Sequence, residues 1–140
     1  NGIYGGELAG HYYFRDFYYS DSGLLASVLV LNIVSKMKIE GVKFSQAIDE
    51  ISTYANTGEV NFIINNKQEA MDTVLKYFKD NNADYKFFDF DGYRLEFKNW
   101  WFNIRPSNTE PYLRFLAEAE SEELLESKTN IIYDILSKYE

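Results

Sequence analysis

The chain has 140 residues, no cysteine, one histidine and a formal charge of −8, a length that suits one well-buried core or one domain with a piece of another. The acidic balance leaves no basic stripe to displace counter-ions from a nucleic-acid backbone, and the missing cysteines exclude a disulfide framework and a thiolate metal site. No apolar run reaches the roughly 18 residues of a membrane span and no basic-then-apolar leader occurs, so the expectation is a soluble cytoplasmic protein with neither a nucleic-acid nor a membrane partner.

The chain opens on Asn1 rather than Met, and Ile3–Gly6 reads as a strand running straight into a loop, so a fragment of a longer protein is expected. Gly5-Gly6-Glu7-Leu8-Ala9-Gly10-His11 is a glycine-punctuated loop with one carboxylate and the only histidine. Aromatics crowd 12–19, where core packing is the expectation, with the many tyrosines suiting a partly wet edge. Ser20-Asp21-Ser22-Gly23 predicts a turn and N-cap for a helix over about 23–38, apolar nearly all round and ended by Gly41. Ser45 is expected to cap a second amphipathic helix carrying Ala47, Ile48, Ile51 and Tyr54. Asn56-Thr57-Gly58 breaks the pattern, and a domain boundary with a hinge is placed there: residues 1–57 before it, 58–140 after it.

Beyond the break, Val60, Phe62 and Ile64 alternate as a strand, and Asn66 with Glu69 opens a helix carrying Met71, Val74, Leu75 and Phe78, ended at Asn81-Asn82. Strands at 86–90 and 93–98 flank Asp91-Gly92, a strong hairpin signal. Trp100, Phe102 and Ile104 then alternate against Trp101, Asn103 and Arg105. After Pro111, Leu113, Phe115, Ala117 and Ala119 alternate against Tyr112, Arg114, Leu116 and Glu118. Ser121 caps a last helix with an acidic first turn and a stripe of Leu124, Leu125, Ile131, Ile132, Ile135 and Leu136. The order over 58–140 is β-α-β-β-β-β-α. The fold class is α+β: a mostly antiparallel sheet of four or more strands packed by two helices, preceded by two helices from an incomplete α/β domain.

Two loops carry chemistry. Arg105-Pro106-Ser107-Asn108-Thr109-Glu110-Pro111 sets a guanidinium, two hydroxyls and an amide between the only two prolines. Arg presents a rigid donor fork that matches phosphate oxygens, and hydroxyls and turn N–H groups add donors; the same composition also makes an ordinary polar turn between strands. Arginine occurs only at 15, 94, 105 and 114, so two of its positions lie in or just after this stretch. Glu7 can accept bonds from two sugar hydroxyls and His11 can exchange a proton near neutral pH, or both are plain loop residues. Asp89 and Asp91 lack the further oxygen ligands of a calcium loop, and no Ser, Cys or glycine-x-Ser-x-glycine nucleophile presents itself.

Together, Gly6-Glu7-Leu8-Ala9-Gly10-His11 and Arg105 to Pro111, with Asp91-Gly92 and Trp101 before the second and Tyr112-Leu113-Arg114 after it, resemble the alpha-D-phosphohexomutases of the bacterial phosphomannomutase/phosphoglucomutase type. The resemblance spans the chain: the end of that family's third domain to about residue 57, then the complete fourth. It implies that Arg105, Ser107, Asn108 and Thr109 hold the non-reacting phosphate of a hexose phosphate, with Arg114 as support. It further implies that Glu7 contacts sugar hydroxyls and that His11 lies beside the substrate, with a possible acid/base role. Ala9 departs from the family's usual Ser, losing one hydroxyl contact worth about 1 kcal/mol.

The reaction implied moves a phosphoryl group between O1 and O6 through a hexose 1,6-bisphosphate. The donor serine and the acidic magnesium loop belong to domains whose motifs are absent from these residues, so Mg2+ is a cofactor of the parent and the fragment alone is expected to be inactive. The implied partners are the hexose phosphate, the missing N-terminal domains and, through the apolar surface of residues 1–57, a second copy. Three alternatives stand beside this reading: a stand-alone phosphosugar-binding module, an α+β interaction domain with a vestigial clamp, and a phosphoglucosamine mutase fragment. Leu8 and Asn108 depart from the residues usual in the last of these.

Overall fold

The computed structural model describes residues 2–7, 9–81 and 84–140; Leu8, and Asn82 in the predicted helix terminator, lie outside the described residues. The chain divides into two compact units, Asn1–Ile51 and Ser52–Glu140.

In the first unit, β1 (Tyr4–Gly6), β2 (Tyr12–Phe14) and β3 (Ser20–Asp21) form an antiparallel meander in that order. Only its first strand is predicted from sequence. Ser20-Asp21, read as a turn, pairs with Phe14 and Tyr13 instead, because the chain reverses earlier, through a 3-10 turn at Arg15–Phe17 and left-handed Tyr18 and Tyr19. The aromatic run is not a buried core: Tyr12, Tyr13 and Phe14 are half-buried, and Phe17, Tyr18 and Tyr19 are exposed.

Helix α1 (Gly23–Ile39) starts where Ser22 Oγ accepts from Leu25 N. It ends in a Schellman arrangement, Val42 N donating to Met37 O and left-handed Gly41 to Lys38 O. It is apolar nearly all round, as read, yet Ala26 is its one buried residue among those described. Helix α2 (Phe44–Ile51) begins one residue before Ser45, so Ser45 is not its cap; Gln46 Oε1 accepts from Lys43 N at that end.

The second unit is built on an antiparallel sheet of β4 (Ala55–Asn56), β5 (Val60–Ile63), β6 (Lys86–Phe88), β7 (Tyr93–Glu96), β8 (Trp100–Pro106) and β9 (Tyr112–Ala119). The order is β4-β9-β8-β7-β6, and β5 shares the β9 edge with β4. Period-two alternation decides the faces. Phe102, Ile104, Leu113, Phe115, Ala117 and Ala119 are fully buried; with Leu95 and Trp100 they pack against α3 (Lys67–Asp80) and α4 (Glu122–Leu136). Both helices are capped as read: Asn66 accepts from Glu69 N, and Ser121 from Leu124 N. Phe97 and Trp100 stack at 4.3 Å and close one end of this core.

The opposite face of the sheet carries Arg94, Glu96, Trp101, Asn103, Arg105, Arg114 and Glu118. Arg94 lies 3.9 Å over Trp101, whose Nε1 donates to Glu118 at 3.0 Å. Asn56 and Thr57, expected in a hinge, are instead tied to this sheet: Asn56 pairs Glu118, and Thr57 N donates to Ala117 O at 3.0 Å. No described helix is long and apolar enough to cross a membrane.

Asp91-Gly92 lies in a hairpin, but the last β6–β7 pair is Phe88 with Arg94, so the loop is wider than a two-residue turn. Gly92 takes φ +73°, and a Cβ there would fall 2.4 Å from Ile104 O and 2.7 Å from Arg105 Cα. The hairpin end therefore lies directly on the backbone that carries Arg105. Gly92→Ala is expected to lower the unfolding free energy by more than about 1 kcal/mol in urea titrations, from strain and clash together.

Candidate functional site: a paired-arginine loop and a Glu-His loop

The β8–β9 hairpin fixes the first site. Its register sets Arg105 directly opposite Arg114, an arrangement that like charges disfavour unless anions compensate. The joining loop is closed by Ser107 N donating to Tyr112 O at 2.9 Å and Glu110 N to Ser107 Oγ at 3.3 Å. Lys67 Nζ, in the first turn of α3, donates to Glu110 O at 3.0 Å.

The two arginines are held differently. Arg114 donates from Nη2 to Glu110 Oε2 at 3.1 Å, and its Nη1 stands 3.6 Å from Glu59 Oε2; its Nε is buried with no partner among the described residues. Arg105 makes no side-chain hydrogen bond among the described residues; its guanidinium stands 3.9 Å from both Glu59 Oε2 and Asp91 Oδ2. It is half-buried, and Asn108 and Thr109 beside it are exposed. Arg114 is thus committed to the loop, whereas Arg105 keeps its whole donor fork for a ligand. Such a set can take a dianion from several directions.

In the first unit, loop 7–11 closes on itself: Glu7 N donates to His11 O at 2.9 Å, and Gly10 N, at φ +85°, to Glu7 O at 3.0 Å. Glu7 Oε1 accepts from Tyr13 Oη at 2.8 Å. His11 Nδ1 lies 2.6 Å from Asp21 Oδ2, and Asp21 Oδ1 accepts from Tyr12 N. The hydrogen bond to Asp21, then its charge, raises the His11 pKa above the ordinary 6.5. The same hydrogen bond lowers Asp21 below 3.8. Asp21 also occupies Nδ1 and leaves Nε2 for a ligand. Glu7 and His11 are therefore brought into one loop, as are Arg105, Ser107, Asn108 and Thr109, with Arg114 behind them. Ala9 is exposed in the first loop.

Asp21, Tyr13 and Glu59 are contributors that sequence reading missed. A β2–β3 register could have indicated Asp21 and Tyr13, but Asp21 sits in a stretch with every mark of a helix cap. Neither of two concavities is lined by residues of the arginine loop. One of about 280 Å3 is lined by Tyr54, Phe97, Trp100 and Glu118; an apolar groove in the first unit is lined by Tyr4, Tyr12, Phe14 and Leu29.

The second unit is thus an α+β sheet domain with opposed arginines at the end of a hairpin, and the first carries a Glu-His loop. Residues 59–134 match the family model "Phosphoglucomutase/phosphomannomutase, C-terminal domain", and residues 1–54 match "Phosphoglucomutase/phosphomannomutase, alpha/beta/alpha domain III". The chain belongs to the phosphoglucomutase/phosphomannomutase family.

It is 37% identical over 136 residues to a phosphomannomutase of Methanocaldococcus jannaschii, covering 96% of this chain and 28% of that protein. Against a phosphomannomutase of Escherichia coli K12 it is 34% identical over 138 residues, covering 97% and 29%. A crystal structure of a phosphoglucomutase/phosphomannomutase family protein from Burkholderia thailandensis shares the fold, with a TM-score of 0.75 and 24% identity over 99% of this chain and 28% of that one. The chain thus spans less than a third of the length of these relatives.

The His11–Asp21 pair is charged on both sides between the pH at which Asp21 protonates, below 3.8, and that at which His11 deprotonates, above 6.5. Raising pH through the His11 value, or lowering it through that of Asp21, removes whatever stability the pair contributes. An NMR titration of the His11 imidazole is expected to give a midpoint above 6.5, and Asp21→Asn is expected to bring it down toward that value.

Proposed function

We propose that the chain is the C-terminal part of a phosphohexomutase that interconverts hexose 1-phosphate and hexose 6-phosphate, with mannose and glucose as the sugars, through a hexose 1,6-bisphosphate. In this reading Arg105, Ser107, Asn108 and Thr109 hold the non-reacting phosphate and Arg114 shapes the loop. Glu7 takes sugar hydroxyls. His11, whose pKa the hydrogen bond to Asp21 raises, offers a proton from Nε2 to a substrate oxygen.

The observation that carries the reading is Arg105: a half-buried guanidinium with no side-chain hydrogen bond among the described residues, beside exposed loop donors, in a chain of this family. Its physical sense is positional. Phosphoryl transfer depends on alignment and charge stabilisation, so gripping the remote phosphate turns binding energy into orientation at the reacting one.

The donor serine and Mg2+ are assigned to upstream domains of the parent, the magnesium stabilising charge on the transferring phosphoryl group. Among the described residues, no group of three or more His, Cys, Asp or Glu could hold a metal. The fragment alone is therefore proposed to be inactive, in a cytoplasmic parent. The exposed apolar side chains of α1, such as Leu24, Val28, Leu31 and Ile33, are assigned to contact with those upstream domains, or with a second copy in their absence.

Glucose 6-phosphate at millimolar concentration is expected to shift the amide signals of Arg105 to Thr109 and to leave those of α4 unchanged. Arg105→Ala is expected to weaken binding at least tenfold, in line with a lost charge-assisted bond of about 1.5–3 kcal/mol. Unchanged spectra in the unmodified protein would refute the reading.

A further inference from the structure

We propose that Glu59 is an internal counter-ion of the clamp, a carboxylate that competes with the ligand's phosphate for Arg105 and Arg114 and so keeps that phosphate releasable. The inference rests on the phosphate reading of the clamp and adds to it a residue that sets how tightly the clamp holds.

Glu59 lies where an irregularity in the sheet ends and β5 begins. Strands β4 and β5 lie on the same edge of β9, and residues 57–59 bulge between them. Thr57 stitches the bulge down: its N–H donates to Ala117 O, and its Oγ1 accepts from Ala117 N at 3.0 Å. Gly58 follows at φ +62°. Val60 pairs Phe115 and Asn61 pairs Arg114, so Glu59, two residues before Asn61, lies on the arginine face by period-two alternation, and its carboxylate comes within 4 Å of both guanidiniums.

The distances define what that carboxylate does. At 3.6 Å from Arg114 Nη1 and 3.9 Å from Arg105 Nη2, it supplies charge without a hydrogen bond to either. It therefore offsets the repulsion of two arginines facing each other in the ladder while leaving the donor fork of Arg105 open.

Around the loop three cations, Arg105, Arg114 and Lys67, are set against three carboxylates, Glu59, Glu110 and Asp91. Their weights differ. The Asp91 side chain is 69% exposed and screened, and Glu110 is engaged in its bond to Arg114; the Glu59 side chain is 29% exposed and is within 4 Å of both guanidiniums. An arriving phosphate dianion adds two negative charges a few ångströms from it, and the mutual repulsion subtracts from binding.

Weak holding has a use in the proposed reaction. A bisphosphorylated sugar that must leave the clamp and return by its other end gains nothing from a deep ground-state complex. A purely orienting Glu59 would have the opposite effect on binding, because its removal would loosen Arg105.

The test is calorimetric titration of the 140-residue chain with glucose 6-phosphate and with inorganic phosphate, at constant pH and ionic strength. Glu59→Gln, which keeps shape and removes charge, is expected to tighten binding of both by about three- to tenfold. Glu59→Asp, which keeps the charge, is expected to stay within about twofold of the unmodified chain. Glu59→Ser carries the same prediction as Glu59→Gln should the latter fail to fold.

Weaker or unchanged binding by Glu59→Gln, with the unmodified chain binding and Arg105→Ala weakening it at least tenfold, would overturn the counter-ion role and leave the clamp standing. Equal tightening by Gln and Asp would also overturn it, since charge would then not be the cause. No binding by any of the proteins would remove the phosphate reading itself, and this inference with it.

Discussion

The arrangement depends on one pairing in the β8–β9 ladder, which sets Arg105 opposite Arg114 at the mouth of the hairpin. Two guanidiniums so placed repel each other, and the surrounding polar structure answers that repulsion. Glu110 takes Arg114, Glu59 stands between both, and Asp91 approaches Arg105 from the neighbouring hairpin. The register is itself dictated by burial: slipping it by one residue would move Phe102, Ile104, Leu113 and Phe115 out of the core and onto the other face. Core packing thus determines where the charges go.

The same economy appears in the first unit, on a smaller scale. A short meander closes the Glu7–His11 loop and delivers Asp21 to the imidazole and Tyr13 to the carboxylate. Glu7 and His11 each have one oxygen or nitrogen tied down and, among the described residues, another without a hydrogen bond. That tethering limits side-chain freedom before a ligand arrives, which reduces the entropy lost on binding.

Much of the second unit was legible in the sequence because its signals are local and agree with one another. Alternation over 100–105 and 112–119 gave the buried face, Asn66 and Ser121 announced the helix starts, and the clamp residues adjoin in the chain. What escaped reading was non-local or irregular. Glu59 looks like an ordinary residue after a glycine until the β5–β9 pairing brings it to the arginines. Asp91-Gly92 gave the hairpin but not its width, since Gly92 is required by the close approach of the Arg105 backbone rather than by a tight turn. In the first unit the aromatic run resembled core, yet a meander of two- and three-residue strands has too little area to bury it; Ser45 resembled a cap although Gln46 makes the terminal bond.

The central claim is that the Arg105 guanidinium, which makes no hydrogen bond among the described residues, binds a phosphate. A crystal structure of the chain with glucose 6-phosphate tests this most directly. The account predicts the phosphate within hydrogen-bond distance of the Arg105 guanidinium and the Ser107 or Thr109 hydroxyl, with Arg114 still bonded to Glu110. A phosphate seated elsewhere, with Arg105 closed onto Glu59 or Asp91, would contradict it.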